Sequence, residues 1–427
     1  MHAVVLGLAG VSPASSVFVA VVPVVVVLGG ASILVLLTAT LIAMLVAATY
    51  AAVCTRIPVG GGEPGWVSRL FGPRWGSAVF VLSLTTLTLV LALFLGAAVS
   101  LAPIDLPGGL ALLLVGGALT LLASLTLQVA VWLSLVCLAL EVAVIAMVSL
   151  EAIILAGRSG LGSALGSCVS GGVQHLSYDA LVAVPVILFA LNGYGQSTYL
   201  VEEVRDGGRR VRRVVFSVLA LTLVLEGVPL VALGCAAADD ALSPADDQLV
   251  VRLLEVTTHE AWLVESVRWA IVVALLNAIL ALVIFGSRLL GSFATHRVGH
   301  GATRDGRHPF ARKEGSPTPP RSAGLVLGAA MVAVAVLVPD ALLITATGSS
   351  LSLIYASVAF CGLRMARAGS PRLLSREALS PLLLLGILSV MTGQGLATDP
   401  VSVMTAVALL GLGACLFEAW RRLSSAG

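Results

Sequence analysis

The stretch "ALNGYGQSTYLVEEVRDGGRRVRR", residues 190–213, decides how the rest of the chain is interpreted. An apolar run reaches Asn192-Gly193-Tyr194-Gly195, continues, and then meets two glutamates and five arginines. Each glycine costs about 1 kcal/mol in a helix interior. In hydrocarbon an unpaired backbone N–H or C=O is also costly, so unwound chain survives only beside protein or a water-filled cavity. The stretch therefore predicts an interrupted transmembrane helix whose break lines a binding site.

The composition of the whole chain is that of a membrane protein with several spans. Of its 427 residues 59% are hydrophobic and 11% are charged, and the mean hydropathy is +1.07. Soluble domains carry about 25% charged residues. A transmembrane helix needs about 20 mainly apolar residues. Windows that meet this need lie near residues 3–28, 32–54, 76–101, 108–126, 129–155, 180–201, 214–236, 267–288, 323–338, 341–363, 379–397 and 400–418. We expect an all-α polytopic membrane protein of about twelve transmembrane helices.

The basic residues predict the orientation of these windows. With a cytoplasmic N-terminus, the inner segments hold all but three of the 24 lysines and arginines, the exceptions being Arg158, Arg252 and Arg268. Such a bias is the positive-inside pattern of membrane proteins. The outer loop after the seventh window instead carries a run of acidic residues from Asp239 to Glu265. We expect a multi-pass protein of the cytoplasmic (inner or plasma) membrane with both termini in the cytoplasm.

A second interruption lies in the first window, which reads "GLAGVSPASSVFVAVVP" over residues 7–23. Either break alone is equally explained as a packing kink, since Gly and Pro are common in transmembrane helices. The breaks lie five windows apart, however, and a repeat with an odd number of spans inserts upside-down relative to its twin. Matching interrupted helices in two halves point to the central site of a transporter. We therefore expect a 5+5 inverted repeat with discontinuous helices 1 and 6: residues 1–157 form the first five-helix repeat, 180–365 the second, 379–420 two peripheral transmembrane helices and 421–427 a cytoplasmic tail.

Paired breaks of this kind have a chemistry of their own. Unwinding frees N–H groups at the start of one half-helix and C=O groups at the end of another, and helix-end charges of about half an elementary charge reinforce both. An α-amino acid carries opposite charges a few ångströms apart, so it suits such a site better than a sugar or a lipid. The residues expected to bind substrate are Ser12, Pro13, Ala14, Ser15 and Ser16 in the first break and Phe189, Ala190, Asn192, Gly193 and Tyr194 in the second.

These motifs resemble the amino acid–polyamine–organocation permeases. Phe189 to Gly193, the acidic pair Glu202-Glu203 and the arginines that follow are similar to the family's F-x-x-x-G break, acidic pair and basic loop. "VGGGEPGWVSRLFGPRWG", residues 59–76, resembles the family's loop after span 2. The resemblance covers spans 1–10 and implies a leucine-transporter-like fold and secondary active transport of amino acids by alternating access. The chain departs from the family's Gly-small-Gly at the first break, where it has Ala14-Ser15-Ser16, and this leaves the identity of the substrate open.

Two carboxyl groups inside the windows are candidates for proton coupling. Glu141 lies in the middle of the fifth window, and Glu226 lies three residues before Pro229 in the seventh. A charge at the bilayer centre costs about 2.5–3.5 kcal/mol on insertion scales, so such residues usually face a cavity and have a function. The alternative is a protonated carboxyl that is hydrogen-bonded to a neighbouring helix. Proton coupling or simple exchange is favoured over sodium coupling. Between Ser266 and Ser287 the eighth window has no serine or threonine and only Asn277 as an uncharged polar group, whereas a hard cation needs several oxygen ligands.

Other classes of function find less support. The chain shows no nucleotide-binding or nucleophilic motif, so we expect no enzyme, no cofactor and no nucleic-acid partner; the expected partners are a small-molecule substrate, protons and membrane lipid. His296 and His300 have helical spacing but no evident third ligand, so no metal site is expected. Tyr194, Tyr199 and Tyr355 are either gates or packing anchors. A transport-dead sensor or scaffold of the same fold, and a permease for polyamines or other organocations, remain alternatives.

Overall fold

The structure is a computed structural model that describes residues 8, 12–59, 62–102, 107–122, 127–158, 178–196, 198–199, 207–236, 249–257, 260–298, 321–369 and 376–425. Every regular element in these ranges is a helix. The first, α1, joins three consecutive segments: Pro13–Ser16, a π-helical Val17–Val21, and Val22–Leu28. The others are α2 (Ser32–Arg56), α3 (Gly62–Phe71), α4 (Pro73–Leu101), α5 (Gly108–Leu122), α6 (Leu127–Arg158), α7 (Tyr178–Ala190), α8 (Gly193–Gln196), α9 (Gly207–Ala236), α10 (Leu249–Thr257), α11 (Ala261–Val298), α12 (Arg321–Leu337), α13 (Asp340–Gly369), α14 (Arg376–Thr398) and α15 (Pro400–Ser425).

Many of these helices are suited to a membrane. Within the described ranges, eight helical stretches are long and apolar enough to cross one, and two shorter apolar helices, Gly108–Leu121 and Ser322–Leu337, accompany them. One of the eight is the 44-residue stretch Pro13–Arg56. In it Gly29, at φ 50°, and a single 3-10 turn separate α1 from α2. The prediction of an all-α polytopic membrane protein is therefore confirmed, and the count of twelve spans stays a prediction.

A proline explains why α1 contains a π-helical turn. Within a regular α-helix the ring of Pro23 would clash with the carbonyl of Val19, four residues earlier. The π turn Val17–Val21 precedes it directly, and the N–H of Val22 donates to the carbonyl of Val17, five residues back. Such single π turns inside α-helices are frequent at functional sites. This turn is also where α7 packs on α1.

The packing surrounds α1 and α7 with other helices. The first turn of α1 contacts α6, α9 and α11, and α7 contacts α2 and α13. Helices that the predicted repeat makes equivalent also pack on each other, α2 along α9 and α4 along α11. Of the last two helices, α14 packs on α13 and α15 on α4. The two interrupted helices are thus enclosed by the bundle, where the sequence predicted the substrate site.

A close helix contact between α5 and α12 gives a first testable prediction. A Cβ atom added at Gly328 would overlap the side chain of Thr120, which cannot turn away freely because its hydroxyl donates to the carbonyl of Gly116 at 2.7 Å. Overpacking of this kind costs about 1–3 kcal/mol. Gly328→Ala should therefore lower the apparent melting temperature of the protein in detergent. The control Gly117→Ala, whose Cβ would meet nothing within 4 Å, should not, and equal melting of the two variants would contradict this packing.

Candidate functional site

The first break lies at Ser12, whose backbone is left-handed at φ 48° and ψ 87°. It is the only non-glycine residue with positive φ in the described part of the chain. Its N–H donates to the carbonyl of Leu8 at 2.8 Å, and its carbonyl accepts from the N–H of Ser16 at 2.9 Å. A helical segment therefore begins directly after this residue, with Pro13 in its first position, where no N–H is needed. A strained residue of this kind costs about 1–3 kcal/mol and clusters at functional sites. The predicted discontinuity of helix 1 is confirmed.

Glu141 of α6 is buried directly against this break. The hydroxyl Oγ of Ser12 lies 3.0 Å from Oε2 of Glu141, and Nδ2 of Asn277 on α11 lies 3.1 Å from Oε1. The backbone N–H of Ala14 faces the same carboxyl group. Only 1% of Glu141 is exposed. The N–H end of the half-helix thus holds a carboxyl group of the protein itself, in the place where the carboxylate of an amino acid was expected.

Hydroxyl groups extend this cluster along the break. The Oγ atoms of Ser12 and Ser15 lie 2.6 Å apart, and Oγ of Ser12 is also 3.2 Å from the carbonyl of Ala274. A serine hydroxyl has one proton to donate and can accept two hydrogen bonds. Ser12 therefore cannot donate to Glu141 and to Ala274 at the same time. An ionised carboxylate is the stronger acceptor, so ionisation of Glu141 would favour the hydrogen bond from Ser12 to its carboxyl group.

A second buried carboxyl, Glu226 of α9, borders the same break. Glu226 is 1% exposed, and the side chain of Ser16 faces it. Neither of its carboxyl oxygens has a hydrogen bond of good geometry within the described ranges. A carboxyl group in an apolar interior is costly unless it is neutral or meets a cation or hydrogen-bond donors. The first break is therefore flanked by two acids from different helices, and they are the two residues that the sequence suggests for proton coupling.

The second break lies at Leu191 and Asn192, which form a turn between α7 and α8. The N–H of Leu191 donates to the carbonyl of Ile187 at 3.0 Å, four residues back, whereas the N–H of Asn192 donates to Phe189 at 3.1 Å, three residues back. The helix tightens, stops and resumes at Gly193. Asn192 is half-buried and Ala190 is fully buried. The predicted discontinuity of helix 6 is confirmed.

Tyrosines surround the second break. Tyr50 of α2 packs edge-on against Tyr194 and Tyr355, with ring centroids 6.1 and 6.2 Å away. It also packs against Trp66 of α3 at 5.5 Å. A Cβ atom at Gly195 would come within 3.3 Å of the Tyr50 ring, so this glycine allows the close approach. Tyr194 and Tyr355 thus belong to one buried aromatic cluster, which the sequence could not distinguish from isolated packing residues.

Glu63 is a further buried acid that sequence reasoning missed. It lies on α3, outside the membrane-spanning helices, and is only 4% exposed. The hydroxyl of Tyr50 donates to its Oε1 at 2.7 Å, and the hydroxyl of Tyr199 donates to its Oε2 at 2.7 Å. These bonds tie the segment between α2 and α4 to the chain just beyond the second break. An acid in the Gly-rich stretch "VGGGEPGW" is usually exposed, so only the fold reveals this role.

Glu63 gives a prediction about pH. Burial raises the pKa of its carboxyl above the ordinary value of 4.5, and the hydrogen bonds from Tyr199 and Tyr50 lower it only in part. The native state then binds this proton more tightly than the unfolded state, so its contribution to the free energy of unfolding falls as pH rises from 4.5 through the raised pKa. Glu63→Gln stays neutral throughout. In detergent thermal shifts, the melting temperature of the wild type should therefore fall relative to that of Glu63→Gln as pH rises.

The control for this pH series is Glu255→Gln, which replaces an exposed glutamate on α10. Its melting temperature should follow that of the wild type at every pH. A constant difference between the wild type and Glu63→Gln over the whole range would show that the buried carboxyl does not change its proton occupancy on unfolding.

The predicted site residues therefore fall into two groups. The first-break residues, Ser12 to Ser16, lie with Glu141 and Glu226, whereas Tyr194 in the second break lies with Tyr50 and Tyr355. Phe189 and Ala190 are on α7, which packs on the π turn of α1. Gly10, in the first break, and His300 lie outside the described residues. No cluster of three metal-ligating side chains occurs within the described ranges.

A bundle of apolar helices that encloses two interrupted ones defines a membrane transporter of the leucine-transporter-like class. Its overall fold is similar to that of a Na+-coupled sialic acid symporter in a substrate-bound, outward-open state, with a TM-score of 0.56 and 12% identity over 94% of this chain and 90% of that one. The model of the amino acid permease family matches residues 3–412. This chain belongs to the amino acid permease family.

Three relatives of this chain have a low sequence identity to it. Uncharacterized transporters of Mycobacterium bovis and Mycobacterium tuberculosis are 27% identical to this chain over 300 residues. The alignment covers 70% of this chain and 65% of each relative, so it spans less than two thirds of their length. The names of these relatives call them transporters and give no substrate. They therefore agree with the class of protein and do not indicate what is transported.

Proposed function

We propose that this protein is a secondary active transporter of amino acids that works by alternating access in the cytoplasmic membrane, with both termini in the cytoplasm. The observation that carries the proposal is the pair of confirmed helix breaks enclosed by the bundle. Ser12 to Ser16 and Phe189 to Tyr194 would bind the substrate. The proposal includes the inverted repeat of residues 1–157 and 180–365, because that symmetry lets the two halves exchange access to either side of the membrane.

The contacts of Glu141 suggest how a proton would be coupled to the substrate. An ionised Glu141 occupies the N–H end of the half-helix through Ala14 and Ser12. A substrate carboxylate needs the same donors, and two carboxylates that share one site repel each other. Protonation of Glu141 removes this repulsion and frees the backbone N–H for the substrate. The proton and the amino acid would then bind together, which is the requirement for symport.

A second candidate substrate class is favoured by the same acids. Two buried carboxyl groups, Glu141 and Glu226, flank the first break, and Glu226 has no well-formed hydrogen bond within the described ranges. A cationic amine without a carboxylate would form an ion pair with Glu226. It would not compete with Glu141 for the hydrogen-bond donors of the first break. Polyamines and other organocations are therefore the alternative cargo. Transport assays with both classes distinguish them.

The test is uptake into proteoliposomes that contain the purified full chain. Labelled amino acids and amines are supplied with an inward proton gradient, with and without a protonophore, and with sodium replaced by choline. We expect saturable amino-acid uptake that the protonophore abolishes and that does not need sodium. Uptake of amines alone would establish the second candidate. If a broad panel gave neither uptake nor counterflow, the transport-dead alternative would replace both.

A further inference from the structure

A groove lies between α2, α9, α13 and α14, at the end of the bundle where α2 finishes. Its volume is about 370 Å³, within the ~300–1,000 Å³ typical of ligand sites. Two arginines line it, Arg56 and Arg212, and no carboxyl group is among the described residues that line it. The rest of its wall is apolar or small, including Ala48, Ala52, Phe216, Met365 and Pro381. The groove thus combines a cationic part with an apolar part.

The two parts follow each other along the helix axes. Ala52 and Arg56 are four residues apart on α2, and Arg212 and Phe216 are four residues apart on α9, so each pair shares a helix face about one turn, ~5.4 Å, apart. Helix α2 ends at Arg56, whereas α9 begins at Gly207. Both arginines therefore lie at the same end of the bundle, with apolar surface one turn deeper. This order matches that of a phospholipid, whose phosphate lies outside its acyl chains.

The hydroxyl groups of the groove are already committed to the backbone. The hydroxyl of Thr49 donates to the carbonyl of Leu45 at 2.8 Å, and that of Thr55 donates to the carbonyl of Ala51 at 2.6 Å. The hydroxyl of Ser380 lies 3.3 Å from the same Leu45 carbonyl. The side-chain donors that the groove presents in number are therefore the guanidinium groups of Arg56 and Arg212, each with five N–H donors. Phe216 is 40% exposed and extends the apolar wall towards the outside of the bundle.

From this arrangement we infer that the groove binds one anionic phospholipid of the inner leaflet, with its phosphate on Arg56 and Arg212 and an acyl chain along Ala52 and Phe216. Guanidinium groups bind phosphate through charge-assisted hydrogen bonds, often two at a time. Basic pockets between transmembrane helices on the cytoplasmic side are known lipid headgroup sites. Helix α14 contributes Ser380 and Pro381 to the wall. The lipid would therefore connect the peripheral helix α14 to α2 and α9.

The experiment measures lipid retained by the full chain, purified in detergent, by native mass spectrometry after incubation with phosphatidylglycerol, phosphatidylcholine or inorganic phosphate. We expect one phosphatidylglycerol to be retained in preference to phosphatidylcholine. Removing two charge-assisted hydrogen-bond donors in Arg56→Gln/Arg212→Gln should reduce its retention on the order of tenfold or more. The matched control Arg69→Gln/Arg213→Gln removes two exposed arginines that do not line the groove, and it should retain the lipid.

A second pair of variants tests the apolar part of the groove. Ala52→Trp fills it without a change of charge and should also lose phosphatidylglycerol, whereas Leu41→Trp, at an exposed position on the same helix, should not. Equal losses in the two arginine pairs, or equal retention of the two lipids, would overturn the inference. Displacement of the lipid by inorganic phosphate alone would identify a site for free phosphate and would overturn it as well. None of these outcomes depends on whether the protein transports amino acids.

Discussion

Substrate-driven proton movement should fall to background when Glu141 is replaced by glutamine. Glu141 is the buried acid that contacts the first break through Ser12 and Ala14, and glutamine keeps its size and its ability to accept a hydrogen bond. The variant cannot release a proton, so it resembles the protonated carboxyl at every pH. We therefore expect uptake that no longer responds to the proton gradient, while exchange of internal for external substrate persists. The measurement is lumenal pH and labelled uptake in the same proteoliposomes.

The control for this experiment is Glu151→Gln, which changes a partly exposed glutamate on the same helix. It should keep both the proton movement and the uptake of the wild type. A Glu141→Gln variant whose uptake still follows the proton gradient would remove Glu141 from the coupling mechanism. In that case Glu226, the other buried acid at the first break, would be the next group to test.

The second large effect is expected at Asn192, the half-buried amide at the break between α7 and α8. Asn192→Leu keeps a similar volume and removes the polar group. Losing one hydrogen bond to a charged substrate costs about 1.5–3 kcal/mol, which corresponds to about 10- to 100-fold in affinity. We expect initial rates of uptake at low substrate concentration to fall by that factor. The maximal rate should change less, because the break itself is formed by the backbone.

Gln196→Leu provides the comparison for Asn192→Leu. It removes an amide one turn further along the chain, at the end of α8 and past the turn at Leu191 and Asn192. Its uptake should stay close to that of the wild type. Equal losses in the two variants would indicate that the region needs polarity in general. No loss at Asn192 would place the cargo elsewhere.

Much of the fold could be predicted from the sequence, because hydrocarbon constrains it strongly. The apolar windows 76–101, 341–363 and 400–418 correspond to the helices Pro73–Leu101, Asp340–Gly369 and Pro400–Ser425. Each helix is longer than its window, because polar residues at one or both ends continue the helical backbone beyond the apolar region. The breaks were predicted from Pro13 and from Gly193 and Gly195, and the structure places the first of them at Ser12, one residue before the proline.

The neighbours of the breaks could not be predicted from the sequence. Glu141 and Asn277 are 136 positions apart, and Tyr199 is 136 positions from Glu63, so only the folded packing brings each pair together. Glu141 attracted attention because a charge at mid-membrane is costly. No comparable cost marks Glu63, which lies on the short helix α3 outside the membrane-spanning helices and is buried by the approach of Tyr50 and Tyr199. Tertiary contacts, not local patterns, decide these details of the site.

The claim that both breaks hold the cargo is tested most directly by substrate protection. Single cysteines are introduced at Ser15 and Asn192 in a chain whose native cysteines are replaced, and the rate of reaction with a small thiol reagent is measured in proteoliposomes. A saturating concentration of the transported amino acid should slow labelling at both positions, with the same concentration dependence as uptake. If transport persisted while neither labelling rate changed with substrate, the cargo would bind elsewhere and the central claim would be wrong.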